Sequence, residues 1–151
     1  MNYNEILERI SPCGLNCETC FAFKEGTIKK YSKLLTEKLG NFENYAPRFE
    51  ELLEEPLFNV YPYFKLQLEY FNQIECCGCR KEMCKLYKAC NVRKCAEKKG
   101  VDFCFQCKEF PCENSGFDEN LAVRWKHKNQ RMKDIGVEAF YEEIKHRHRY
   151  P

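Results

Sequence analysis

The chain lacks most of the motifs by which common enzymes are recognised. Its 151 residues contain no glycine-rich phosphate loop, no His-Glu-x-x-His and no Gly-x-Ser-x-Gly. The phosphate-cradling, zinc-protease and serine-hydrolase designs that need those spacings are excluded. Histidine is scarce: His127, His146 and His148 are the only three, all among Lys and Arg near the C-terminus. Residues two apart on a helix face different directions, so His146 and His148 read as solvated surface. No apolar run approaches the ~18 residues of a membrane span. The opening MNYNEILERI carries three charges and no apolar stretch of the leader-peptide kind. The expectation is a protein without membrane contact, made and kept in the cytoplasm. Repeats, low-complexity tracts and linkers are also missing, so residues 1–151 read as a single domain with a modest core.

What the chain has in abundance is cysteine. Twelve are present, in closely spaced groups. Cys13-x3-Cys17-x2-Cys20 comes first, and after a long gap Cys76, Cys77, Cys79, Cys84, Cys90, Cys95, Cys104, Cys107 and Cys112 follow. A reducing compartment keeps thiols free, so this density reads as metal binding before disulfides.

The net charge of +2 conceals an asymmetry. Residues 1–75 carry 8 Lys/Arg against 12 Asp/Glu, and the remainder carries the positive excess. Within 80–99 lie Arg80, Lys81, Lys85, Lys88, Arg93, Lys94, Lys98 and Lys99, opposed only by Glu82 and Glu97. A basic run of this kind suits nucleic acid. It suits equally well the negative charge that four thiolates leave around one Zn²⁺. The second reading is favoured, because no base-stacking motif accompanies the charge.

Apolar spacing predicts a mainly α fold, α+β only in the sense of a little strand: a helical scaffold carrying a loop-rich cysteine knuckle region. Tyr3, Ile6, Leu7 and Ile10 predict a short helix ending at Ser11-Pro12. Thr27 is a candidate cap for a second helix, with Ile28, Tyr31, Leu34, Leu35 and Leu39 inward and Gly40 at its stop. Pro47 begins a short helix bearing Phe49, Leu52 and Leu53, which Pro56 ends; Pro62 begins another bearing Phe64, Leu68 and Phe71. This middle region reads as core scaffold. Periodicity fails from Cys76 to Cys112, apart from a helical turn or two at 91–99 closed by Gly100. Leu121, Trp125 and Met132, then Val137, Phe140, Tyr141 and Ile144, predict two final helices within 118–148. Trp125 with Phe103, Phe105, Phe110 and Phe117 reads as an apolar shell beneath metal sites rather than a base-stacking platform.

Cys-x2-Cys is the smallest spacing that lets two thiolates of one tight turn bind one metal. Cys76-x2-Cys79 and Cys104-x2-Cys107 are two such hooks, and two hooks brought together make a tetrahedral S4 zinc site. Cys13-x3-Cys17-x2-Cys20 matches the spacing that holds three irons of a [4Fe-4S] cluster with the fourth left open. The large β/α barrel that enzymes of this kind use has no counterpart here. A plainer alternative gives these thiolates a fourth partner from Cys90, Cys95 or Cys112, which would dock the front loop, 11–20, onto 76–112.

The stretches Pro12-Cys13-Gly14-Leu15-Asn16-Cys17-Glu18-Thr19-Cys20 and Cys76-Cys77-Gly78-Cys79-Arg80 carry a family resemblance. So do Cys90-Asn91-Val92-Arg93-Lys94-Cys95-Ala96-Glu97-Lys98-Lys99-Gly100-Val101 and Cys104-Phe105-Gln106-Cys107-Lys108-Glu109-Phe110-Pro111-Cys112-Glu113. In this order they resemble the bacterial and archaeal cysteine-rich family called domain of unknown function 3795. The resemblance covers about residues 11–115 and implies metal binding at Cys13, Cys17, Cys20, Cys76, Cys79, Cys90, Cys95, Cys104, Cys107 and Cys112. Cys77 and Cys84 stand outside its pattern. It implies no activity. The reading is therefore a small cytoplasmic zinc protein with two structural sites, acting as an interaction module on a protein partner. An iron–sulfur protein, as electron carrier or as enzyme with an open iron at Cys13, Cys17 and Cys20, is the first alternative. A nucleic-acid binder using the face 80–99 is the second. Nothing in the chain points to a reaction.

Overall fold

A computed structural model of the chain describes residues 1–150. Its seven α-helices are α1 (Tyr3–Leu7), α2 (Thr27–Leu39), α3 (Ala46–Leu53), α4 (Tyr61–Gln73), α5 (Val92–Lys99), α6 (Glu119–Ile135) and α7 (Val137–Ile144). Short 3-10 turns at Phe42–Asn44, Pro56–Val60 and Cys104–Gln106 complete the regular structure. Among the described residues β pairing is confined to two isolated bridges, Ile10 with Asn16 and Phe23 with Cys76. The fold is mainly α, as the apolar spacing predicts.

Helix α1 begins in a capping box, in which the Asn2 side chain accepts from the Glu5 amide at 3.0 Å and Glu5 accepts from the Asn2 amide at 2.9 Å. It stops at Leu7, short of Ile10, because Ile10 is drawn into the bridge with Asn16. The main core forms where α1 meets α6 and α7. Ile6, Ile10, Phe103, Met132, Val137, Phe140, Tyr141 and Ile144 are buried together there. Burying one such side chain fully is worth about 1.5–3 kcal/mol, so this cluster anchors both chain ends. Asp118 caps α6 by accepting from the Leu121 amide at 2.9 Å. Gly100 closes α5.

The middle region departs from the pattern-based expectation. The cap of α2 is Gly26 rather than Thr27. The residues of α2 that are buried are Lys29 and Ser32, while Tyr31, Leu34 and Leu35 are exposed. The polar side turns inward because it has partners. Lys29 Nζ donates to the Ile74 carbonyl at 2.7 Å and to Glu75 Oε1 at 2.8 Å. Asn72 of α4 donates to Thr36 at 3.0 Å. Helix α3 likewise leaves Leu52 and Leu53 outside, at 62% and 61% exposure. Its aromatic side, Phe49, stacks on Phe42 at 5.7 Å, and Phe42 meets Tyr61 at 4.9 Å. Residues 27–73 thus form an arm with a thin interior rather than the core scaffold the spacing suggests.

Candidate metal centre

The loop after α1 is a tight hairpin built from its own backbone. The Ser11 amide donates to the Leu15 carbonyl at 3.0 Å, and the Ser11 hydroxyl accepts from the Leu15 amide at 3.2 Å. Gly14 has φ +82°, and a Cβ there would lie 2.9 Å from Met132 Cε, so α6 packs directly on the backbone. Cys13, Cys17 and Cys20 are buried on this hairpin. The segment that follows pairs with the start of the cysteine-dense stretch through the Phe23–Cys76 bridge and a Lys24 amide bond to the Cys76 carbonyl at 3.0 Å.

This pairing brings two Cys-x2-Cys hooks together. Cys17, Cys20 and Cys76 pack in one buried group with Ala22 and Phe23. Interaction with the Cys79 thiol draws those of Cys17 and Cys84 down to about 6. The same two neighbours push Cys79 well up. The Cys76 thiol is pushed up to about 11 by burial, against the Gly78 amide, which donates to its sulfur at 3.4 Å. Spacing in the sequence couples the hook of Cys76 and Cys79 to that of Cys104 and Cys107. In the fold its neighbours are Cys17 and Cys20, because the Phe23–Cys76 bridge fixes that pairing.

A second group gathers at the rear. The Cys104 amide bonds to the Pro12 carbonyl at 3.1 Å, and the Cys107 amide closes a turn on the Cys104 carbonyl at 3.0 Å. Burial pushes the Cys104 thiol up to about 12; the Trp125 indole N–H works against that, and Cys13, Cys112 and Cys95 are its neighbours. Cys95 and Cys107 both lie near Lys99. The expected apolar shell is in place, with Phe110 and Phe117 set edge-on to the buried Trp125 at 5.1 and 6.0 Å.

The third arrangement is a cavity of about 150 Å³ lined by Cys13, Cys17, Cys79, Cys84 and Cys90 and by Arg93, Arg124 and Arg149. Burial pushes Cys13 up to about 11, and Cys90 is among its neighbours. Cys90 in turn has Cys84 as a neighbour. The Arg124 guanidinium donates to the Arg149 carbonyl at 2.8 Å, which ties this segment to α6, and the Arg149 guanidinium donates to the Asn16 carbonyl of the front hairpin. Burial opposes the charge on Arg149, and Cys20, Tyr150, Cys17 and Cys13 outweigh it.

Among the described residues, no group of three or more His, Cys, Asp or Glu side chains is drawn close enough to hold an ion as it stands. The donor set nevertheless suits one. Four buried side-chain polar atoms lack a partner, and three are N–H groups beside cysteines: Asn16 Nδ2, Arg80 Nη2 and Trp125 Nε1. Asn16 precedes Cys17, Arg80 follows Cys79, and Trp125 faces Cys104. Unpaired buried donors are costly, and sulfurs bearing negative charge are the acceptors within reach.

Cys77 stands apart, its amide held by the Glu82 carboxylate. Cys84, outside the family pattern, lines the cavity. Of the cavity's arginines, Arg93 was counted in the basic run 80–99, and Arg124 and Arg149 were missed by sequence reasoning. Of the basic run, Lys81, Lys85, Arg93 and Lys99 pair with Glu8, Glu82, Glu97 and Glu109. His127, His146 and His148 are exposed.

The cysteine pattern on this fold defines a class before it defines a role: the family described as "Protein of unknown function (DUF3795)" matches residues 9–116. The chain belongs to that family. No curated protein matches it, and no solved structure does.

Proposed function

We propose that the protein is a zinc–thiolate protein whose metal is structural. The observation that carries this reading is the convergence of Cys17, Cys20 and Cys76 from distant parts of the chain into one buried group, with half-buried Cys79 beside Cys17. Those thiolates are the complement of a tetrahedral S4 site. Cys95, Cys104, Cys107 and Cys112 supply a second set at the rear. Burial makes an isolated thiolate expensive here, and a divalent cation removes that expense. The unpaired N–H groups of Asn16, Arg80 and Trp125 then gain acceptors.

Its role fits that of an interaction module, and no reaction is assigned. Around α3, Leu52, Leu53 and Leu57 are exposed among Glu50, Glu51, Glu54 and Glu55. A partner segment that is both apolar and basic complements that face. Nucleic acid is the weaker partner, since much of the basic run is occupied by carboxylates. Among the described residues no helix is long and apolar enough to cross a membrane.

Metal analysis of anaerobically purified protein tests the reading. Near-integral zinc is expected, with loss of helicity on strong chelation. A helical, monodisperse protein that holds no ion overturns it.

A further inference from the structure

Two S4 sets use eight cysteines and leave Cys13, Cys84 and Cys90, which line the same cavity, and Cys77, which does not. We propose that this cavity houses an iron–sulfur cluster of the [4Fe-4S] type, held by Cys13, Cys84 and Cys90. The proposal rests on the zinc reading for Cys17 and Cys79 and goes beyond it.

Volume is the first argument. Four sulfurs around one zinc stand ~2.3 Å from it and leave no room even for a water. The cavity here is about 150 Å³, the size of an engineered apolar cavity that admits benzene. A mononuclear site has no use for such space, and a compact inorganic core of several atoms does.

Charge is the second. Arg93, Arg124 and Arg149 line the cavity and no Asp or Glu does. Arg93 alone has a carboxylate partner, Glu97 at 2.7 Å. Guanidinium groups gathered beside thiols without counter-charge suit an anionic centre, and a thiolate-held cluster is one.

Lining chemistry is the third. The remainder of the wall is largely apolar, with Leu15, Met83, Leu86, Val92 and Phe117. Such a shell excludes water and sets the potential of a cluster by its low polarity. Cys13, Cys84 and Cys90 all line this one space. A cluster held by three cysteines leaves one iron without a thiolate.

Zinc-loaded protein incubated anaerobically with sulfide and equal amounts of ferrous and ferric iron, the two oxidation levels of a [4Fe-4S]2+ core, tests the idea. Iron and sulfide should bind in equal amounts, about four of each per chain, with a broad visible absorption. Cys84→Ser and Cys90→Ser should lose that band and most of the iron while zinc content stays at the parent value. Cys76→Ser should do the converse and lower zinc first. Failure to take up iron, with zinc intact, overturns the cluster and leaves the zinc reading standing. Iron bound equally by parent and by the Cys84→Ser and Cys90→Ser variants also overturns it. Protein that takes up neither metal removes the zinc reading beneath it as well.

Discussion

Asn129 offers the sharpest test of how the two cysteine groups are joined. Its side chain is fully buried on α6. Oδ1 accepts from the Phe105 amide at 3.0 Å, beside the rear hook, and Nδ2 donates to the Cys13 carbonyl at 3.0 Å, on the front hairpin. A further bond from Nδ2 reaches the Trp125 carbonyl at 3.1 Å within the helix. Asn129→Leu keeps the volume and removes all three. A buried group left without its partner costs about 1–3 kcal/mol. The Trp125 carbonyl retains the helix, so two groups are orphaned. The expected loss is roughly 2–6 kcal/mol out of the about 5–15 kcal/mol that holds a domain together. In a thermal melt followed by circular dichroism, that corresponds to a drop on the order of 10 °C. Asn129→Asp is no rescue: it restores an acceptor for Phe105 and sets oxygen against two carbonyls. A loss below about 1 kcal/mol in Asn129→Leu, by urea unfolding of the metal-loaded protein, would refute the assignment of Asn129 as the tie between the two groups.

Lys29→Met should cost about 1–3 kcal/mol in urea unfolding, since the Ile74 carbonyl loses its donor. The Lys29 ammonium also holds the Glu75 carboxylate below its usual range. The pair's contribution is therefore complete above the unfolded glutamate pKa of ~4.3 and is lost as acid carries the pH through the lower folded value. The variant should show less of that acid-dependent loss in a pH series. Gly116→Ala should destabilise strongly, because a Cβ there would sit 2.0 Å from the Ala89 carbonyl oxygen at φ +72°; faster proteolysis of the 84–90 loop is the readout. Leu53→Lys with Leu57→Lys should leave melting temperature and metal content unchanged within about 0.5 kcal/mol, as both side chains face solvent. A large loss would mean that the arm is buried in an assembly.

Helix α7 and the stop of α5 were legible because their signals are local. Val137, Phe140, Tyr141 and Ile144 share one face, and Gly100 has the positive φ that ends a helix. The inward face of α2 was not legible. Leu34 and Leu35 outrank Lys29 on any apolar scale, and only the tertiary position of the Ile74 carbonyl makes the lysine the buried residue. A long aliphatic stem with an ammonium at its tip can satisfy both an apolar wall and a carbonyl. The candidate site divides the same way. That Cys17, Cys20, Cys76 and Cys79 belong to hooks is written in their spacing. Which hook meets which depends on the Phe23–Cys76 bridge, a contact between residues whose neighbourhoods say nothing about each other. Cys84 and Arg149 were invisible for the same reason: their relevance comes from lining one cavity.

The ties between front and rear are ordinary hydrogen bonds. Cys104 reaches Pro12, Arg80 Nε reaches the Ile10 carbonyl at 3.0 Å, and Lys24 reaches Cys76. Hydrogen bonds of that kind net about 1 kcal/mol each, too little to hold so many buried thiols and cations in place alone. Arg80 shows the shortfall: burial works against its charge, Asp102 offsets it first and Tyr3, Cys17 and Cys13 after it, and its Nη2 has no partner. Protein contacts position the hooks, and on the proposed zinc reading bound cations would make the thiolates permanent acceptors for the nearby donors. Order in the loop-rich half and occupancy of its sulfurs are, on this argument, a single equilibrium.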